Sequence, residues 1–143
     1  MIKRGEIICY KKRQDFRDVV LEDLLFMFSE KGMVEIIKFS SKKRINKIAI
    51  SSTIDTESNK IINILIKGHV KDLKDIKPIN KKIIKPLYLF LDAEVLLYAK
   101  LKKLKFKKVQ EKKDNLSKFI DSLEKKHPEI KRAIINGYLE LGV

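Results

Sequence analysis

A chain of 143 residues, 44% apolar and 36% charged, has the material for one domain with a core and too much apolar content for a disordered tail. Lysine and arginine outnumber acids 33 to 19, and the formal charge of +14 calls for a polyanionic partner such as RNA, DNA or an anionic surface; surplus lysine as a solubility device is the plainer alternative. The charged N-terminus carries no apolar leader and no apolar run nears the about 20 residues that cross a bilayer, so a cytoplasmic protein with no membrane partner is expected.

The first element is a short apolar run, Glu6 to Tyr10, read as a strand. Cys9 lies inside it. As the one cysteine it rules out an intramolecular disulfide and a multi-cysteine metal site, and it reads as a small buried hydrophobe. The basic triplet Lys11-Lys12-Arg13 follows, then Asp15 or Asp18 as a helix start. Val20, Leu21, Leu24, Leu25 and Phe28 recur at helical spacing and predict a helix over 18–30, closed by Gly32. Residues 33–43 are read as a second helix, with a strand over VEIIKF as the alternative.

Residues 47–51 are β-branched and apolar, as a buried strand requires. Ser51, Ser52 and Thr53 break the run, and Asp55 and Glu57 stand where a helix begins, favoured there by its dipole. Ser58, Ile61, Ile62 and Leu65 share one helical face, and Lys67-Gly68 is a helix stop. In open α/β sheets ligands bind beyond the carboxyl ends of strands, so this turn is the first candidate site. Residues 69–82 read as a loop. Pro86 makes the apolar segment 83–87 an edge or connecting piece rather than a central strand. Asp92 is placed to cap a helix whose inner face is Ala93, Leu97, Leu101 and Leu104. A charged connection over 107–113 leads to a helix around Phe119, Ile120 and Leu123, stopped by Pro128, and to a last helix from Ile130. Strands alternating with helices predict a parallel α/β fold, with a thin sheet of two or three strands.

Three segments then stand in a telling order: SSTIDTESNKIINILIKG over 51–68, IKPL over 84–87 followed by Glu94 and Tyr98, and LEKKHP over 123–128. In that order they resemble the C-terminal half of the tRNA 2-thiolation enzymes, PP-loop (N-type ATP pyrophosphatase) proteins that make 2-thiouridine or 2-thiocytidine. Asp55 and Glu57 fall on the acids of the family's GHNLDDEAQT-like turn, and Lys67-Gly68 on the Arg-Gly that ends its helix. The resemblance implies a truncated Rossmann-like (PP-loop or HUP-type) sheet. Residues 1–90 would be a nucleotide-binding-like half and 91–143 a basic helical region packed with it in one domain. It also implies ATP with magnesium, and an iron–sulfur cluster, in intact relatives. This chain departs from the pattern. It has no SGGKDS phosphate loop, and the strand, loop and helix that carry that loop are read as missing. Ser52 stands for the family's histidine. Phe28-Ser29-Glu30-Lys31-Gly32 stands where the family has its CxxCG.

The expectation is therefore an RNA- or tRNA-binding relative that is catalytically incomplete, with no cofactor and no catalytic residue in this chain alone. Asp55 and Glu57 are remnants of an ATP site or ordinary first-turn acids. Lys67, Lys85, Lys100, Lys102, Lys103, Lys105, Lys107 and Lys108 are the expected RNA contacts, with a solvated lysine face as the alternative. Tyr98 and Phe106 can stack on bases, although core packing suits them better, and His69 and His127 read as surface residues. Two other readings stand beside this one. The chain is half of a split thiolation enzyme whose phosphate loop comes from an N-terminal half-protein, or it is a non-catalytic subunit that pairs with a full-length paralogue or with itself.

Overall fold

The structure, a computed structural model, describes residues 2–32, 34–38 and 44–142. Among the described residues five strands form one sheet: β1 (Ile7–Tyr10), β2 (Glu35–Lys38), β3 (Lys47–Ala49), β4 (Ile79–Asn80) and β5 (Ile83–Ile84). Their spatial order is β2-β1-β3-β5-β4, parallel except for the β4–β5 hairpin. The α/β class stands, and the sheet is wider than the two or three strands expected.

Three elements account for the difference. Residues 35–38, expected to be helical, form β2, because their backbone completes a parallel ladder from Ile7↔Glu35 to Tyr10↔Lys38. Met33 and residues 39–43 of that expected helix lie outside the described residues. The hairpin turns on Lys81, which adopts φ 51° without being glycine. Segment 83–84 is interior rather than at the edge. β5 pairs with β3 on one side and β4 on the other and ends two residues before Pro86, so the proline removes no ladder bond. The loop expected over 69–82 contains a 3-10 helical stretch, Val70–Ile76.

Five helices complete the fold: α1 (Phe16–Glu30), α2 (Ile54–Ile66), α3 (Asp92–Leu101), α4 (Asn115–Lys126) and α5 (Ile130–Glu140). Asp15 caps α1 by accepting from the Arg17 backbone N–H, and Thr53 and Thr56 form a reciprocal capping box on α2. Gly68, at φ 72°, ends α2 in the left-handed conformation that glycine adopts without penalty. Asp92 is the first residue of α3 and not its cap, and the helix turns Val95 and Ala99 inward, whereas Ala93, Leu97 and Leu101, expected on its inner face, are exposed. The freed backbone N–H of Asp92 donates instead to the Asp55 carboxylate at 2.7 Å.

One apolar cluster joins a face of the sheet (Ile8, Tyr10, Ala49, Ile84) to α1 and α3 through Leu21, Leu25, Val95 and Ala99. Ladder partners such as Tyr10 and Ala49 share a face, which is why these strand residues meet the same helices. A second cluster unites Ile54 and Ile61 of α2 with Leu73, Tyr88 and, from α5, Ile135 and Tyr138. The Tyr138 hydroxyl donates to the Leu73 carbonyl and ties α5 to the 3-10 stretch. Cys9 is free and fully buried in β1.

Candidate functional site at the carboxyl edge of the sheet

From β1 the chain moves outward to β2, then returns past β1 to add β3 on the other side. The sheet therefore has its topological switch point between β1 and β3, where open α/β folds place their ligands. The loop after β1 is Lys11–Asp15, and the one after β3 is Ile50–Thr53. The unit β1–α1 leads into this switch point through a basic, glycine-free loop.

Between the two loops lies a cavity of about 460 Å³ lined by Arg13, Asp15, Asp18, Ser51 and Ser52. A second, of about 290 Å³, is lined by Asp55, Asn59, Asp92, Asp121 and Lys131. Arg17, Thr56 and Glu111 border both.

Arg17 is the hub. It sits one residue into α1 and is buried. Its Nε and Nη2 donate to the two carboxylate oxygens of Asp92 at 2.8 and 2.5 Å, and Nη1 donates to Glu111 at 2.5 Å. Burial opposes the charge, but the hydrogen bonds to Asp92 and Glu111 outweigh it and hold the guanidinium's pKa above its ordinary value. Asp92 also accepts from the Thr53 hydroxyl at 2.6 Å, which ties the cap of α2 and the first turn of α1 to one carboxylate. Lys131, buried in α5, reaches Asp55 at 2.5 Å and Asp121 at 2.8 Å. Those bonds again prevail over burial and raise its pKa. Asp18 accepts from the Ser51 hydroxyl at 2.6 Å. Burial raises its pKa, and the Ser51 bond partly offsets the shift. The two buried cations that line the crevice, Arg17 and Lys131, are thus both taken up by the protein's own carboxylates.

The expected site residues fall into three places. Asp55 borders the crevice, paired to Lys131 and to the α3 N-terminus. Glu57 and Lys85 instead form a buried pair inside the fold. Glu57 is 0% exposed, and it meets Lys85 Nζ at 3.0 Å and Lys60 Nζ at 2.9 Å. Lys85 also donates to the Ile76 carbonyl, and burial lowers its pKa against the pull of Glu57. Lys85 therefore stands apart from the other lysines named with it, all of which are exposed. Lys67 lies at the end of α2, where its charge reaches Asp114. Lys100 is in the last turn of α3 and Lys102 caps its end, 5.8 Å from the Tyr98 ring. Lys103, Lys105, Lys107 and Lys108 follow on a strap without regular structure that runs to Asp114. Tyr98 and Phe106 pack against the first cluster; Tyr98 donates to Asp23, and Phe106 meets Phe16 edge-on at 6.3 Å. His69 and His127 are exposed.

The strap folds back across the crevice, where the backbone N–H of Lys107 donates to the Gln14 carbonyl at 2.8 Å. That bond brings the strap at Lys107 to Gln14, the residue that follows Lys11, Lys12 and Arg13, and Arg13 shares the wall of the first cavity with Val109 and Glu111 of the strap. Sequence reading saw the triplet but had no reason to join it to residues 90 positions away. It missed Arg17, Asp92 and Lys131 as a network because ion pairs across 75 residues leave no spacing signal.

No protein-family model matches the sequence, and no curated protein matches it. The fold matches solved structures, among them the U34-tRNA thiolase NcsA from Methanococcus maripaludis, solved with its [4Fe-4S] cluster. The TM-score is 0.72 at 19% identity, over 98% of this chain and 73% of that one. The fold is thus similar to that of this thiolase, and the matched span exceeds the half expected from motif order. Clusters of that type are held by several cysteine thiolates, and a single cysteine within β1 does not fit the task. Nor does the loop after β1 fit a phosphate cradle, since Asp15 places a carboxylate on the first turn of α1 where a phosphate would accept. Among the described residues no helix is long and apolar enough to cross a membrane.

Proposed function

We propose that this protein binds RNA, tRNA above all, by contacts to the phosphate backbone, and that alone it is not a thiolase. The observation that carries the reading is the backbone bond that joins the lysine-rich strap to the segment of Lys11, Lys12 and Arg13, at the rim of a crevice whose buried cations, Arg17 and Lys131, are internally paired. Exposed lysines that are not committed to carboxylates are free to neutralise phosphates and release counterions. The thiolase fold of the neighbour favours tRNA over DNA as the polyanion. Asp55 serves the scaffold here, and Glu57 with Lys85 serves the core. The adjoining tyrosine and phenylalanine are packed inside, so the affinity comes from charge more than from stacking.

Filter binding with bulk tRNA across a salt series tests this. Affinity should fall steeply and linearly in log–log form as salt rises. Failure to bind at 50 mM salt, about the lower end of the usual range, rejects it.

A second reading has its own observation. Leu89, Phe90 and Leu97 are exposed beside an apolar cavity of about 440 Å³ lined by Leu24, Val95 and Tyr98. An apolar surface of this kind suits a protein partner, such as a half-protein carrying a phosphate loop or a full-length paralogue. Mixing with such a partner should then restore ATP hydrolysis or thiolation. No gain on mixing removes the split-enzyme form.

A further inference from the structure

The strap from Lys102 to Lys113 holds seven lysines and a single acid, Glu111. That acid turns inward onto Nη1 of the buried Arg17 and stands between the two crevice cavities. Few interactions hold the strap. Its start is tied to α3, where the Leu104 backbone N–H donates to the Ala99 carbonyl at 2.9 Å and Leu104 packs on the first cluster; beyond that stand the Phe106–Phe16 edge packing, the Lys107–Gln14 backbone bond, the Glu111–Arg17 pair and the Lys113–Asp121 pair at 2.5 Å. Residues 107–113 are otherwise exposed, as expected of a segment that opens at low cost. Glu111 is itself half exposed, so water and salt reach the outer side of its pair with Arg17. If Glu111 leaves, Arg17 keeps its bidentate hold on Asp92 and the longer 3.4 Å contact of Nη1 with Asp15, so losing the outer partner does not strand the guanidinium. A phosphate oxygen accepts from a guanidinium as a carboxylate oxygen does.

We propose that Glu111 is a latch that RNA releases. A backbone phosphate of RNA lying along the strap lysines takes the place of the Glu111 carboxylate on Arg17 Nη1, the Lys107–Gln14 bond opens, and the two cavities join. This rests on the RNA reading above and adds its regulation. The crevice is closed in the free protein and open in the RNA complex. The residue sets agree with it, because the lysines that attract the polyanion and the acid that must yield lie on one twelve-residue segment.

The test uses the full chain labelled with ¹⁵N, titrated at 50 mM salt, about the low end of the usual range, with bulk tRNA and with a single-stranded oligoribonucleotide. The readouts are affinity, hydrogen exchange at the Lys107 amide, and the Arg17 side-chain resonances. In the wild type, RNA should speed Lys107 exchange about tenfold or more and shift Arg17 Nε–H. In Glu111→Gln, Lys107 should exchange fast before RNA is added, and affinity should rise more than in Glu140→Gln, which removes an equal charge at a remote exposed site. RNA that binds without changing Lys107 or Arg17, or equal gains in the two glutamine variants, overturns the latch and leaves the RNA reading intact. No binding of either RNA overturns both.

Discussion

Replacing Lys85 by methionine probes the one buried ion pair of the expected site. Glu57 is fully buried, and the Lys85 side chain is 4% exposed, so the variant leaves a carboxylate inside the fold with only the half-exposed Lys60 for company. It also takes the donor from the Ile76 carbonyl. Removing one partner of a buried pair costs about 3–5 kcal/mol, and Lys60 places this case near about 3. For a domain of this size that is a fall in Tm of about 6–12 °C. In the double variant Glu57→Gln/Lys85→Met no charge remains to be stranded, and most of the stability should return, to within about 1.5 kcal/mol of the wild type. Urea and thermal melts followed by circular dichroism give both numbers, and filter binding at a temperature where all variants are folded should show unchanged tRNA affinity. A Lys85→Met cost below about 1 kcal/mol, or a double variant as damaged as the sum of its parts, refutes the reasoning. A drop in affinity at full foldedness would return Lys85 to the RNA surface.

Other outcomes follow from the same geometry. Lys102→Glu with Lys103→Glu should weaken tRNA binding and leave the circular dichroism spectrum unchanged; unaltered affinity takes both residues out of the footprint. Thr53→Ala removes the α2 cap and the donor to Asp92 and should cost about 1–2 kcal/mol, whereas Thr53→Ser should retain most of the stability. For Asp18 the folded pKa lies above the ordinary 3.8 because of burial, so the native state holds the proton longer than the unfolded chain. Wild-type stability therefore falls as pH rises from 3.8 through the raised value and is level beyond it. Asp18→Asn keeps an acceptor for Ser51, and it should melt higher than the wild type near neutrality and show no gain below the window. A lower melting temperature at neutral pH would contradict this.

Much of the sheet and its helices was legible in the residues, for local reasons. The β-branched run before Ser51, the apolar spacing of Val20 to Phe28 and the Lys67-Gly68 stop each encode their element within one turn or strand. What escaped was set by distant backbone. EIIK fits either period over four residues, and only its ladder to β1 makes it β2. The hairpin turns on Lys81-Lys82, with no glycine at either place and its asparagine, Asn80, one residue early. Asp55 was found because first-turn acids are a recurrent signal. Its partners Lys131 and the Asp92 N–H lie 76 and 37 residues away and carry none. Lys85 looked like its fellow lysines until the fold buried it against Glu57.

The sharpest measurement is the slope of log affinity against log salt for bulk tRNA, taken on the wild type and on a variant with Lys105, Lys107, Lys108 and Lys112 changed to glutamine. Each phosphate of a single-stranded region that the variant leaves without its lysine should flatten the slope by about 0.7, so the variant should be weaker and less salt-sensitive than the wild type. Equal slopes for the two proteins, or a wild-type affinity indifferent to salt, would contradict a phosphate-binding strap.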